Sequence, residues 1–193
     1  PIEATKDNYR CIAVDDSGNV YTTGCIQTMT DFDPGPDTFF LRPKNSAYQT
    51  FDAYISKLDA SGNFVWAKLI EGRGDEKGCT IRCDRSGNVY TAGTFSSLTV
   101  DFDPGIGEYS ITSQSYLLGH YGSFIQKLTS QGNFVWAHEI AGEYPCSFII
   151  DEQENVYVAG EEITKFNSAG SIVWKKKING NPDSMYYGVE IGR

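Results

Sequence analysis

The chain reads as an all-β protein, a β-propeller of four-stranded antiparallel blades with about three blades present as a partial ring or a fragment. Three observations predict this: a unit recurring roughly every 70 residues, two hairpin-turn signatures inside each unit, and a tryptophan in the last strand of each.

The repeat carries the most weight, because self-similarity at a fixed period decides the architecture. SGNVYTTG begins at Ser17 and SGNVYTAG at Ser86, 69 residues apart. DFDPG begins at Asp31 and Asp101, and GNFVWA at Gly62 and Gly132, each pair 70 apart. A shorter third copy runs through ENVYVAG from Glu154 and GSIVWKK from Gly170. Trp136 and Trp174 are only 38 apart, against 70 for Trp66 and Trp136, so the third unit lacks a segment.

Each unit holds a finer pattern. Asp-Asp-Ser-Gly-Asn at 15–19 is echoed at 59–63 and 84–88, with looser copies from Thr129, Asp151 and Asn167. Asp can bond its own backbone and Gly accepts positive φ, so each copy between short apolar runs predicts a β-hairpin. Six turns in three units give two hairpins, hence four strands, per unit. The first strands are 10–14, 79–83 and 146–150; the second 20–23, 89–92 and 156–159. The third are 54–58, 124–128 and 162–166; the fourth 64–68, 134–138 and 172–176. No segment sustains a helical period. Four antiparallel strands per repeat is the pattern of a propeller blade. The blades span about 8–70, 77–140 and 144–178, and 187–193 reads as the first strand of a fourth.

Composition agrees and narrows the function. Among 193 residues, 13% are aromatic and 20 are Gly, a bias toward pleated strands and tight turns. The net charge of −9 opposes a nucleic-acid partner, which needs a basic footprint, and opposes adsorption to anionic lipid. No apolar run approaches the roughly 18 residues of a membrane span. The opening PIEATKDNYR does not resemble a signal peptide. Five cysteines leave at least one unpaired within the chain, and none form a CxxC. Cys79 and Cys83 fall on one face of a strand, roughly 13 Å apart, too far for a disulfide. With His120 and His138 as the only histidines, zinc lacks partners, and the cysteines read as small buried hydrophobes.

The stretches DDSGNVYTTG, DFDPG and AYISKLDASGNFVWAK, with their second copies, resemble the bacterial SBBP repeats, named for the seven-bladed β-propeller. The resemblance covers nearly the whole chain. It implies a secreted or surface-displayed protein, with no single activity and no catalytic residues to carry over. The third unit departs from the pattern by lacking DFDPG and by placing Glu154 where the other turns have Gly. Three blades fall short of the four to eight that known rings use, so further blades or self-association are expected to complete one.

Residues present in every unit serve the blade. Lys57, Lys127 and Lys165 are expected to pair with nearby carboxylates, and Trp66, Trp136 and Trp174 to pack between neighbouring blades. The hairpin turns share one face of the disc. The long insertions 25–52 and 94–122 share the other, where propellers commonly bind. Each insertion reads as an extra hairpin turned by Asp-Pro-Gly. Asp31, Asp33, Asp101 and Asp103 either serve those turns or offer oxygens to Ca²⁺. Turn chemistry is the stronger reading, because each motif supplies only two acids to a cation wanting about six to eight oxygens. Phe39, Phe40, Tyr48, Tyr109, Tyr116 and Tyr121 are candidates to stack on a ligand, or else pack across hairpin strands. Arg73 and Asp75 flank Gly74 in an Arg-Gly-Asp tripeptide, known as a cell-adhesion signal, but an inter-blade turn explains both the Gly and the Asp and is the stronger reading.

The functional expectation is a non-catalytic extracellular module binding protein or glycan through the insertion face. A hydrolase or lyase with a channel metal and a structural spacer are the alternatives. No HExxH, GxSxG or Cys–His pairing supports the enzyme.

Overall fold

The computed structural model describes residues 11–44, 49–142, 147–160 and 162–177. They form three successive four-stranded antiparallel sheets, consistent with the blades expected from the repeat. The first sheet holds β1 (Cys11–Val14) and β2 (Val20–Ile26). A small hairpin follows, β3 (Thr30–Asp31) with β4 (Phe40–Leu41), before β5 (Asp52–Leu58) and β6 (Phe64–Ile70) complete the sheet. The second holds β7 (Glu76–Cys83) and β8 (Val89–Phe95), then the hairpin β9 (Thr99–Asp101) and β10 (Ser110–Thr112). A single helical turn, α1 (Gln114–Leu117), precedes β11 (Gly122–Leu128) and β12 (Phe134–Ile140). The third runs β13 (Ser147–Ile150), β14 (Val156–Ala159), β15 (Glu162–Phe166) and β16 (Ile172–Lys177). In every sheet the strands pair in chain order. The expected strand 187–193 lies outside the described residues.

The turns form as their chemistry requires. Asp15 Oδ1 accepts from the backbone N–H groups of Ser17 and Asn19, while Oδ2 accepts from the Asn19 amide and the Tyr21 hydroxyl. Asp84 and Asp151 repeat the same four bonds with their own neighbours. Gly18 and Gly87 take positive φ at the turn, and so does Glu154, at φ 60. A non-glycine residue there costs about 1 kcal/mol or more. Glu154 offsets it by accepting from the Ser86 hydroxyl at 2.9 Å and facing Lys127 Nζ at 3.6 Å.

Two strand readings need correction. The second strands run on past the Gly of TTG and TAG, because Gly24 and Gly93 pair within the sheet (Gly24↔Tyr54, Gly93↔Phe124) instead of ending it. A Cβ on Gly93 would lie 2.0 Å from the Lys77 carbonyl, so the glycine is there for close approach. Cys79 sits at a register shift between Gly78 and Thr80, so simple alternation does not connect it to Cys83. No disulfide joins Cys11, Cys25, Cys79 or Cys83, all of which are half-buried. The third unit's missing segment is its insertion hairpin: β14 turns directly into β15, with Gly160 N–H bonded to the Glu162 carbonyl.

A β-bulge recurs in the last hairpin of each unit. Register shifts after Lys57, Lys127 and Lys165, leaving Val65, Val135 and Val173 as the extra residue opposite. Bulges add twist and re-aim side chains. Here they direct the adjacent Trp toward the next sheet. Trp66 Nε1 donates to the Ser130 carbonyl at 3.2 Å, and a Cβ on Gly132 would meet its ring at 3.1 Å. Trp136 Nε1 donates to the Ser168 carbonyl at 3.3 Å, with its ring against Gly170. The tryptophans of the first two units thus seat on the third-to-fourth-strand turn of the following unit, as the repeat predicts. Of the lysines, Lys127 pairs with carboxylates as expected, and backbone carbonyls and aromatic rings add contacts that were not expected. Lys57 and Lys127 donate to those same carbonyls and lie over the rings of Tyr21 and Tyr90. Lys127 also faces Asp84 and Glu154 at 3.7 and 3.6 Å, while Lys165 lies over Tyr157. A carbonyl already aimed at the Trp seat, with an electron-rich ring beneath, meets most of the ammonium's need.

Candidate functional site

The insertion hairpins are held to their sheets by the phenylalanine inside each DFDPG. Phe102 is fully buried against Phe95 and Phe124, and its carbonyl accepts a hydrogen bond from Gln126. Phe32 packs on Tyr54 with ring centroids 4.9 Å apart. Neither Phe was singled out from the sequence. The signal was present, since in Asp-Phe-Asp the apolar residue alternates with two turn-forming acids.

The flanking aspartates close the turns. Asp31 Oδ1 accepts from the N–H groups of Asp33 and Phe39, and Asp33 Oδ1 from that of Gly35. Asp101 and Asp103 repeat this with Asp103, Tyr109 and Gly105. Among the described residues, no group of three or more His, Cys, Asp or Glu side chains is arranged to hold a metal ion.

Between the two hairpins lies a cleft of about 350 Å³. Its floor is β6, through Ala67, Lys68 and Leu69; one wall is the first hairpin and the other the turn of the second. An isolated bridge between Glu71 and Asp101 joins the units at its end. The lining mixes cations (Arg42, Lys44, Lys68) with carboxylates (Glu71, Asp101, Asp103) and the rings of Phe39 and Phe40. Lys44 Nζ is 2.6 Å from Glu71 Oε2, and that bond raises the lysine's pKa. Phe40 is 52% exposed, so an aromatic surface is open to a ligand here.

Two acids outside the cleft lining are fully buried, Asp52 next to the cleft's Lys44 and Glu71, and Glu76 near Asp52. Asp52 accepts from Lys44 N–H at 3.2 Å, and burial with the charge of Glu71 pushes its pKa up to about 7. Glu76 Oε1 accepts from the Ser97 hydroxyl at 2.6 Å, and burial pushes its pKa up to about 8 despite that bond. Asp52 Oδ1 and Glu76 Oε2 have no hydrogen-bond partner. Ser97 Oγ in turn accepts from the N–H groups of Arg73 and Gly74. Nothing in the local sequence distinguished these acids from surface ones.

The remaining candidates are dispersed. Tyr109 packs on Phe134 at 4.7 Å, as Phe39 packs on Phe64 at 4.7 Å, both pairs tilted, so these rings tie each insertion hairpin to the last strand of its sheet. Tyr116, within α1, and Tyr121, just after it, are each 46% exposed and are not among the residues lining the cleft. Tyr48 lies outside the described residues. The Arg-Gly-Asp segment is built into the junction: Asp75 accepts from Phe51 N–H at 3.1 Å and donates its own N–H to the Ser96 hydroxyl. Only Arg73 projects from it exposed.

Fold and cleft together define an all-β protein of repeated four-stranded sheets with a groove between adjacent insertions. No family model matches the chain. Over 134 residues it is 26% identical to the uncharacterized WD repeat-containing protein L264 of Acanthamoeba polyphaga mimivirus, covering 65% of this chain. The match spans only 9% of that protein's length. A crystal structure of a protein of unknown function from Bacteroides caccae aligns with a TM-score of 0.24 at 15% identity. That alignment covers 67% of this chain and 56% of the other. A score so low adds nothing to the argument on fold.

Proposed function

We propose that the chain is a run of β-propeller blades acting as a protein-interaction module, with an extended peptide segment of its partner seated in the cleft between the two insertion hairpins. The cleft itself carries the reading. Cations, carboxylates and an exposed ring line a groove that sits over the junction of two sheets. Mixed charge suits a polypeptide with side chains of both signs, and the aromatic surface supplies an anchor of the kind that dominates interfaces. The distant similarity to a WD repeat-containing protein supports a propeller. The DFDPG and SGNVY motifs extend the proposal to an SBBP-type protein displayed outside the cell.

The test is selection of displayed random peptides on the wild-type chain, followed by titration against Phe40→Ala and Arg42→Glu. Both side chains are exposed, so both variants fold. Selected peptides should bind each variant roughly tenfold or more weakly. Peptides that bind both variants as tightly as wild type would remove the cleft from consideration. Binding on a glycan array that depends on Phe40 would replace the peptide with a sugar.

A further inference from the structure

We infer that the two outer faces of the three-sheet run are halves of one junction, and that a second copy of this chain docks head to tail through them. The inference rests on the blade reading above and on the junction the chain displays twice within itself.

Each internal junction has two halves. The trailing half is a Trp and a Lys on one sheet, both donating to a single turn carbonyl, with the indole on the glycine two residues later. The leading half is that turn together with an apolar residue on the next sheet's first strand. Ile81 in the second sheet is 4% exposed and Phe148 in the third is fully buried.

Among the described residues, each half stands alone at the ends of the run. The corresponding first-strand residue of the first sheet, Ile12, is 68% exposed, and Val14 beside it 59%. The corresponding turn glycine, Gly62, has φ +84, and a Cβ there would meet nothing within 4 Å. Its counterparts Gly132 and Gly170 each carry an indole at that position. At the other end, Trp174 and Lys165 remain half-exposed, where Trp66 and Trp136 are 8% and 5% exposed and Lys57 and Lys127 8% and 5%. Trp174 still makes its edge contact with Tyr157 at 6.1 Å, as Trp66 does with Tyr21. The side chain is therefore already oriented as in the two filled junctions.

Docking would place the Trp174 indole on Gly62 of a second copy, with Trp174 Nε1 and Lys165 Nζ donating to the Ala60 carbonyl. Ile12 and Val14 would be covered in the same step. The contact is heterologous, so it either closes or propagates. Two copies closing on each other would bring six sheets together, within the four to eight blades of known rings.

The experiment uses the 193-residue chain and two surface variants, Ile12→Lys and Trp174→Ala. Molar mass is measured by sedimentation equilibrium across a concentration series, with circular dichroism checking that the sheets persist. Wild type should associate. Each variant alone should lose association by roughly thirtyfold or more, the loss expected of a central interface Trp. Mixing the two should restore a one-to-one pair, because each retains the half that the other lacks. A wild-type chain that stays monomeric, a Trp174→Ala chain that associates as tightly as wild type, or a mixture that fails to pair would each overturn the inference. A monomeric result leaves the peptide test intact, since the cleft lies within one copy.

Discussion

Replacing Glu76 with Gln tests the two buried acids most directly. Glu76 is fully buried, bonded by one oxygen to Ser97 and by the other to nothing. Burial raises its pKa from an ordinary 4.5 to about 8. The folded state therefore holds the proton more tightly than the unfolded chain. That stabilisation is complete below the unfolded pKa and is lost as pH rises through the folded one. A pKa unit is worth about 1.4 kcal/mol, so Glu76 withdraws on the order of 5 kcal/mol between about pH 4.5 and pH 8. A domain with roughly 5–15 kcal/mol of total stability feels that strongly. Asp52, raised from 3.8 to about 7, adds a loss of the same sign over a lower window. Urea unfolding followed by tryptophan fluorescence at a series of pH values measures the slope. Wild type should lose stability steadily from about pH 5 to pH 8, whereas Glu76→Gln should lose only the Asp52 share. Stability that is flat with pH in wild type, or an undiminished slope in the variant, would refute the assignment of a protonated acid here.

Trp136→Ala should cost about 3–5 kcal/mol, because it empties the seat on Gly170, while Trp174→Ala in dilute solution should cost under about 1 kcal/mol. Paired urea titrations check the difference. Glu154→Ala keeps the left-handed turn and loses the bonds to Ser86 and Lys127, so it should destabilise by about 1–2 kcal/mol. Glu154→Gly should fall within about 1 kcal/mol of wild type, since relief of the turn offsets the lost bonds. Adding Ca²⁺ or EDTA should leave the melting temperature unchanged. Asp31 and Asp101 each already close two backbone N–H groups, and Asp33 and Asp103 one each. A rise in melting temperature with Ca²⁺ would return these aspartates to the role of ligands.

Much of this molecule was legible in the residues because its grammar is local. An Asp bonding N–H groups two and four residues on, with a Gly at positive φ between, makes a turn wherever it occurs. Three such turns, and three variants with Thr129 or Asn167 in place of the Asp or Glu154 in place of the Gly, placed the strands of all three sheets, and the Asp-Pro-Gly segments placed the two extra hairpins. The seating of Trp66 and Trp136 was also readable, since a large ring recurring once per unit has to be covered by the neighbouring unit. Lys127 does face two carboxylates as expected, Asp84 and Glu154, but the carbonyl that Lys57 and Lys127 each reach some 40 to 70 residues away is announced by no side-chain pattern.

By itself, then, the order of amino acids determined the repeat, the turns and the antiparallel pairing, all products of contacts within a few residues or across one hairpin. The tertiary structure decided what two units make together. Asp52 and Glu76 are ordinary acids until an adjacent sheet and an insertion remove their water. The cleft exists only because hairpins 70 residues apart come to face each other, and Ile12 differs from Ile81 in having no sheet in front of it among the described residues. Desolvation depends on neighbours distant in sequence, and that is why it became visible only in three dimensions.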